Sequence, residues 1–138
     1  MKFSHVALLL AAAALPLAVS AADLRVTVSD GPAAPATLYL AIFDTAEALA
    51  SDKALSSQKV EMRDGTAQLV FTDLPVGRYV IKSFADENGN SKLDKNIVGL
   101  PIERYGFSND ARGRMGPPTF DAAAVQVDAD MSITFRLR

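Results

Sequence analysis

The densest run of metal-type ligands in the chain is Asp86-Glu87-Asn88-Gly89-Asn90-Ser91-Lys92-Leu93-Asp94. Oxygen-bearing side chains fall at relative positions one, three, five and nine, and the Lys92 carbonyl stands at position seven, as in the first part of a calcium loop. In such a loop alternate side chains turn toward one hard cation, so Asp86, Asn88, Asn90, Lys92 and Asp94 are the candidate metal ligands. The run departs from an EF-hand at position six, which is Ser91 rather than glycine, and at position twelve, which is Ile97 rather than a bidentate glutamate. A complete EF-hand is therefore excluded. Calcium binding needs a further acid from downstream, with Glu103, Asp110 and Asp121 as candidates, and its affinity falls in the weak extracellular class of about 10⁻⁴ to 10⁻³ M. The competing reading is an Asx-rich turn whose side chains accept hydrogen bonds from their own backbone and hold no ion.

A second set of chemistry-bearing residues comprises Glu103, Arg104, Tyr105, Arg112 and Arg114, interleaved with glycines. Guanidinium groups grip carboxylate or phosphate in bidentate fashion, so this set is a candidate pocket for a small anionic ligand. The alternative is a solvated Glu103/Arg104 rim with Tyr105 and Phe107 packed inward. Acid–base work by Glu103 and Asp94 would require them to converge, and nothing in their spacing shows that they do. No catalytic residue is assigned, and the chain is expected not to be an enzyme.

The amino terminus narrows the chemistry further. Lys2 precedes an apolar run from Val6 to Val19, and the small residues Ser20, Ala21 and Ala22 come before the first acid, Asp23. This is the order of a secretory signal peptide, expected over residues 1–22, with a β-sandwich domain over 23–138. The run is too short for a membrane span, which needs about 20 apolar residues. Removing the leader takes away Lys2 and His5, so 14 basic and 16 acidic residues become 13 and 16, and no His, Cys or Trp remains. A Ser-His-Asp or Cys-His relay cannot form, and zinc, copper, haem and iron–sulfur ligation lose their usual donors. Only oxygen ligands for calcium or magnesium are left. A net charge near −3 gives no field for nucleic acid or an anionic membrane. The expected product is periplasmic or secreted, with no membrane insertion once the leader is cleaved.

Period-two alternation supplies the scaffold for these residues. Strands are expected around Leu24–Val28, at 36–43, 57–62, 66–71, 78–84 and 123–128, and around Met131–Leu137. Asp64-Gly65 marks a hairpin, because a type I′ turn or a G1 bulge requires positive φ, and a further hairpin is expected around Asp128–Asp130. A short helix near 45–51 is expected with Asp44 as its cap. Leu24, Val26, Leu38, Leu40, Ile42, Leu69, Phe71, Tyr79, Ile81, Val125, Val127, Ile133 and Phe135 are the expected core, with Leu74 and Tyr79 folding back across a Pro75/Gly77 corner. About seven short strands without a strong helix favour an all-β sandwich, immunoglobulin-like or prealbumin-like, with one long ordered loop. That loop, Asp86 to Phe120, carries Ile97, Val98, Leu100, Ile102, Tyr105, Phe107, Met115 and Phe120. Most of this apolar material is expected to pack on the sandwich, with Leu93 anchoring the ligand run to the core.

Four ordered motifs also carry a family resemblance: Phe71-Thr72-Asp73-Leu74-Pro75-x-Gly77-x-Tyr79, Asp86-Glu87-Asn88-Gly89-Asn90-x-Lys92-Leu93-Asp94, Gly99-Leu100-Pro101-x-Glu103-x-Tyr105-Gly106-Phe107-Ser108-Asn109, and Gly116-Pro117-Pro118-x-Phe120-x-x-Ala123. Together they resemble the bacterial domain of unknown function 2141 family. The resemblance implies an exported β-sandwich and carries over no activity, substrate or functional residue. The corner is also similar to that of prealbumin-like and collagen-adhesin B-type modules, some of which place a calcium loop after it. The expected function is a non-enzymatic binding or structural module, its loop organised by Asp86 to Asp94 with or without calcium. A small-anion carrier is the alternative, a carboxylate-dependent hydrolase the remote one, and the partner is unidentified.

Overall fold

The computed structural model describes residues 13–16 and 20–138, so most of the expected leader lies outside the described residues. Strand β1 spans Ala21–Ser29, β2 Ala36–Phe43, β3 Ser56–Met62, β4 Ala67–Pro75, β5 Gly77–Asp86, β6 Tyr105–Phe107, β7 Val125–Val127 and β8 Met131–Arg136. Two short helices, α1 at Ala46–Ala50 and α2 at Phe120–Ala123, and a 3₁₀ turn at Ser108–Asp110 complete the elements. The strands form an all-β sandwich: a three-stranded sheet in the order β4-β1-β8 faces a five-stranded sheet in the order β3-β2-β5-β6, with β7 also paired to β5.

Alternation dictates which face each strand buries. Along β1 and β2 every second side chain is buried, and the inward sets meet in one core that includes Leu24, Val26, Leu38, Leu40, Ile42, Phe71, Ile81 and Phe135. All residues expected inward belong to this cluster, Leu69 and Ile133 as half-buried members at its margin. A smaller apolar cluster lies on the outer face of the five-stranded sheet, where Phe43, Val80 and Phe107 are covered from the α1 and α2 side by Leu49, Phe120 and Ala123. At the corner, the Tyr79 hydroxyl donates to the Pro75 carbonyl at 2.6 Å, and Leu74 and Tyr79 are both buried.

Asp64 and Gly65 have φ of 52° and 72°, the two positive values of a type I′ turn, and Arg63 pairs with Thr66 across it. Beyond the turn β3 and β4 part into different sheets. Three expectations are corrected. The cap of α1 is Thr45, whose extended backbone lets its hydroxyl accept from Ala48 N at 3.0 Å, and not Asp44. The segment Asp128–Asp130 does not close a hairpin, because β7 pairs with β5 while β8 pairs in parallel with β1. An eighth strand, β6, runs through the stretch read as loop, and Arg138 exchanges both backbone hydrogen bonds with its first residue, Tyr105, at 2.9 and 3.1 Å. This contact stitches the two sheets along one flank.

Candidate functional site

Asp86 is the last residue of β5, opposite Thr37 of β2, so the sheet fixes where the ligand run begins. Its buried carboxylate caps that run. One oxygen accepts from Gly89 N at 3.0 Å and the other from Ser91 N at 2.8 Å. Gly89 and Ser91 sit at positive φ, 76° and 62°, which turns their N–H groups inward. Two Asx turns follow, with Asn88 Oδ1 accepting from Asn90 N at 3.2 Å and Asn90 Oδ1 from Lys92 N at 3.0 Å. The amide nitrogens of Asn88 and Asn90 both donate to the Asp94 carboxylate, the second at 2.6 Å. Hydrogen bonds first from Asn90 and then from Asn88 hold the Asp94 carboxyl below its ordinary pKa, because they favour the charged form. Asp86, Asn88, Asn90 and Asp94 are thus brought together, with Lys92 entering through its backbone N–H.

Glu103 is the acid that reaches this turn from downstream. It is only 6% exposed, and its two oxygens accept from Glu87 N at 2.7 Å and Asp94 N at 3.0 Å, stapling both ends of the run. The other named acids go elsewhere. Asp110 accepts from Arg136 N at 2.8 Å, and Asp121 pairs with Arg78 at 3.0 Å. Among the described residues, no group of three or more acidic, His or Cys side chains is placed to hold a metal ion.

Beyond the staple the chain makes a tight turn. Asn96 N donates to Leu100 O at 2.8 Å, and the Asn96 side-chain oxygen accepts from Val98 N and Leu100 N at 3.1 and 3.0 Å. The expectation that the apolar residues of the long loop pack on the sandwich is corrected here. Ile97, Val98, Leu100, Ile102, Tyr105 and Met115 are exposed, whereas Phe107 is buried and Phe120 half-buried. The Asn96 turn is closed by hydrogen bonds of its own, and its aliphatic side chains are left exposed. Leu93 is only half-buried and belongs to neither core cluster. Ser91 touches the scaffold through its hydroxyl, 2.9 Å from that of Tyr39, whose ring stacks on Phe84 with centroids 5.0 Å apart.

The second residue set is dispersed. Arg104 Nη1 donates to the carbonyls of Asp30 and Gly31 at 2.9 and 3.0 Å, beside an open groove of about 820 Å³ that Asp30, Asp64, Thr66 and Arg138 also line. That groove carries both signs of charge. Tyr105 lies edge-on to Phe107, and Arg112 and Arg114 are exposed beyond β6 with no hydrogen bond or ion pair to Glu103, Arg104 or Tyr105 among the described residues. Two side chains were not anticipated. Ser108, fully buried, accepts from Ile81 N at 3.0 Å and donates to the Ala123 carbonyl at 2.5 Å, replacing strand pairing where β6 ends. Asn96 had a sequence signal, an Asn followed by Gly99 and Pro101 as in an Asx turn.

No curated protein and no solved structure matches the chain. A family model described as "Uncharacterized protein conserved in bacteria (DUF2141)" matches residues 26–134, from within β1 to within β8 and across the whole Asp86-to-Glu103 construction. The chain therefore belongs to the DUF2141 family of bacterial proteins.

Proposed function

We propose that this protein is an exported, non-enzymatic binding module that meets its partner through the 87–104 loop. One observation carries the reading: four aliphatic side chains, Ile97, Val98, Leu100 and Ile102, are held in water on a loop whose base is locked by the buried carboxylates of Asp86 and Glu103. Four large aliphatic side chains exposed within six residues of one loop are the kind of cluster that marks an interaction site. Bracing the base removes much of the ordering cost that a loose loop would incur on binding. Fractionation of the cell envelope tests this. The wild-type protein should sediment in part with the envelope, and Ile97→Ser/Val98→Ser should move to the soluble fraction. Equal distribution of the two would overturn the reading.

Calcium is the second reading for the base of the loop. Asp86 accepts from two loop amides, and Asn88 and Asn90 from one each, through oxygens that have a second lone pair to offer, and the Asn88 and Asn90 heads lie beside the two oxygens of Asp94. In that case added calcium should raise the melting temperature, Asp86→Ala or Asp94→Ala should abolish the rise, and Asp64→Ala should leave it intact. No rise in the wild type between chelator and millimolar calcium means that the turn is held by its own hydrogen bonds.

A further inference from the structure

A sheet edge is a row of backbone N–H and C=O groups that can pair with another strand unless something prevents it. The five-stranded sheet ends in β3 and β6, and the three-stranded sheet in β4 and β8. Three of these four edges are blunted. β6 is three residues long, and its Tyr105 already exchanges hydrogen bonds with Arg138. On β8 the Asp110 carboxylate takes Arg136 N at 2.8 Å. β4 is irregular, with a register shift against β1, a positive φ at Asp73 and Pro75 at its end, and its Val70 carbonyl accepts from Gln58 Nε2 at 3.0 Å. β3 carries none of these devices. It pairs with β2 in one unbroken register from Ser56 to Met62, without glycine, proline or positive φ.

The side chains of β3 say which strand fits its edge. Val60 stands opposite Leu38 and faces inward, half-buried at the margin of the core, with Gln58 and Met62 on the same face. Lys59 and Glu61 stand opposite Tyr39 and Thr37 on the outer face, and both are exposed. Lys59 has no ion pair among the described residues. Glu61 pairs with Arg63 at 3.0 Å, but with side chains 57 and 74% exposed that pair is easily exchanged for another.

We propose that β3 pairs antiparallel with β3 of a second copy of this chain, about a two-fold axis through Val60. Each Lys59 then lies directly opposite Glu61 of the other copy, and the two five-stranded sheets join into one. The charges select this centre. An axis through Lys59 would set lysine against lysine, and one through Glu61 would set glutamate against glutamate and Lys59 against Arg63. A slip by one residue would set core-facing side chains against outward ones. With the axis at Val60 both opposite-charge pairs form together, and the two valines meet on the inner face and continue the core across the junction. β3 supplies seven residues a side against about 20–30 in a standard interface, so this dimer is weak and concentration-dependent. The proposal uses no residue of the 87–104 loop and stands or falls apart from it.

Sedimentation velocity of the purified protein, from micromolar to millimolar concentration, tests the inference. The wild type should pass from monomer to dimer over that range. Lys59→Glu and Glu61→Lys each turn both attractive pairs into repulsive ones, and each should weaken the dimer at least about tenfold. The exchange Lys59→Glu/Glu61→Lys restores opposite charges in the same register and should return dimerisation toward wild type. Arg114→Glu, at an exposed site beyond β6 on the far side of the sheet, should dimerise as wild type. Because the chain has no cysteine, a single thiol reports the register. Val60→Cys should cross-link to its own copy under mild oxidation, since directly opposed residues lie about 4.5–5.5 Å apart, within the reach of a disulfide. Gln58→Cys, which this register sets opposite Met62 and about 13 Å from its own copy, should not. Unchanged melting curves certify that each variant is folded. The proposal is overturned by a wild type that stays monomeric at millimolar concentration, by a dimer indifferent to either charge reversal, or by a charge exchange that fails to recover it. Cross-linking of Gln58→Cys as readily as Val60→Cys overturns it as well.

Discussion

Glu103→Ala bears most directly on how the loop is held. The carboxylate is 6% exposed and accepts two backbone hydrogen bonds, from Glu87 N at 2.7 Å and Asp94 N at 3.0 Å. A hydrogen bond to a charged group contributes about 1.5–3 kcal/mol net, and an orphaned donor costs most where water cannot replace the lost acceptor. Glu87 lies at an exposed position, so water recovers part of one bond, and a total of about 3 kcal/mol follows from the lower end of that range. The loss should appear first as local opening, because the tip beyond Glu103 adds no buried apolar contact to the sandwich. Exchange of the Glu87 and Asp94 amides, followed by NMR, should therefore accelerate by about 100-fold, with each factor of ten worth 1.4 kcal/mol. Urea unfolding should register a smaller global loss. Glu103→Gln keeps the shape and one acceptor oxygen but sets an NH₂ group against an N–H donor, so its effect should lie between Ala and wild type. If both variants unfold within about 0.5 kcal/mol of wild type and the two amides exchange at unchanged rates, Glu103 is not a staple, and its carboxylate is free for a ligand.

Three further outcomes follow from the geometry. Phe135→Ala, at a side chain 1% exposed between the sheets, should cost roughly 3–5 kcal/mol in urea unfolding, and a loss under about 1 kcal/mol would mean the β8 register is wrong. Ser108→Ala removes the acceptor of Ile81 N and the donor to Ala123 O from a fully buried site, so about 1–3 kcal/mol should be lost with the sheet otherwise intact by circular dichroism. The Asp94 carboxyl, depressed in the folded chain, contributes stability that is present above its unfolded value of about 3.9 and lost as pH falls through the lower folded value. Its NMR titration should accordingly lie below that of an ordinary aspartate, and Asn90→Ala, which deletes the largest cause, should raise it.

The sandwich was legible because its signals repeat. Alternation over β1, β2 and β8 identifies the inward side chains whichever strand lies opposite, and Asp64-Gly65 leaves the backbone few turns other than one with two positive φ values. Partner choice is a different matter, since alternation says which face is buried and not against what. So β7 and β8 read as a hairpin although they enter different sheets. Strand β6 is three residues long, too short for a period, and its middle residue is Gly106. The reason for that glycine is tertiary: a Cβ there would stand 2.5 Å from the Arg136 carbonyl oxygen of β8. The exposed loop residues misled through composition. Apolar content argues against a disordered linker, yet it does not place each side chain inside, and the Asn96 turn makes four hydrogen bonds within itself without any help from the core.

The ion loop and the Asx turn were inseparable in the sequence for a physical reason. Both need oxygen at alternate positions, the turn using one lone pair for a backbone N–H and an ion using the other. What separates them is the acid that completes the shell. Glu103 arrives at the turn, but its oxygens face Glu87 N and Asp94 N rather than the Asn88 and Asn90 heads. For calcium to recruit it, both N–H bonds would have to break, and the roughly 3 kcal/mol they contribute would be subtracted from the binding energy. Any calcium bound here would therefore be held by Asp86, Asn88, Asn90 and Asp94 without Glu103. At ten times Kd, calcium adds about 1.4 kcal/mol to the stability of the folded chain. This melting shift should survive in Glu103→Ala as a difference between chelator and calcium, on a lowered baseline. A shift present in wild type and abolished in Glu103→Ala would show that the carboxylate leaves its staple to ligate the ion.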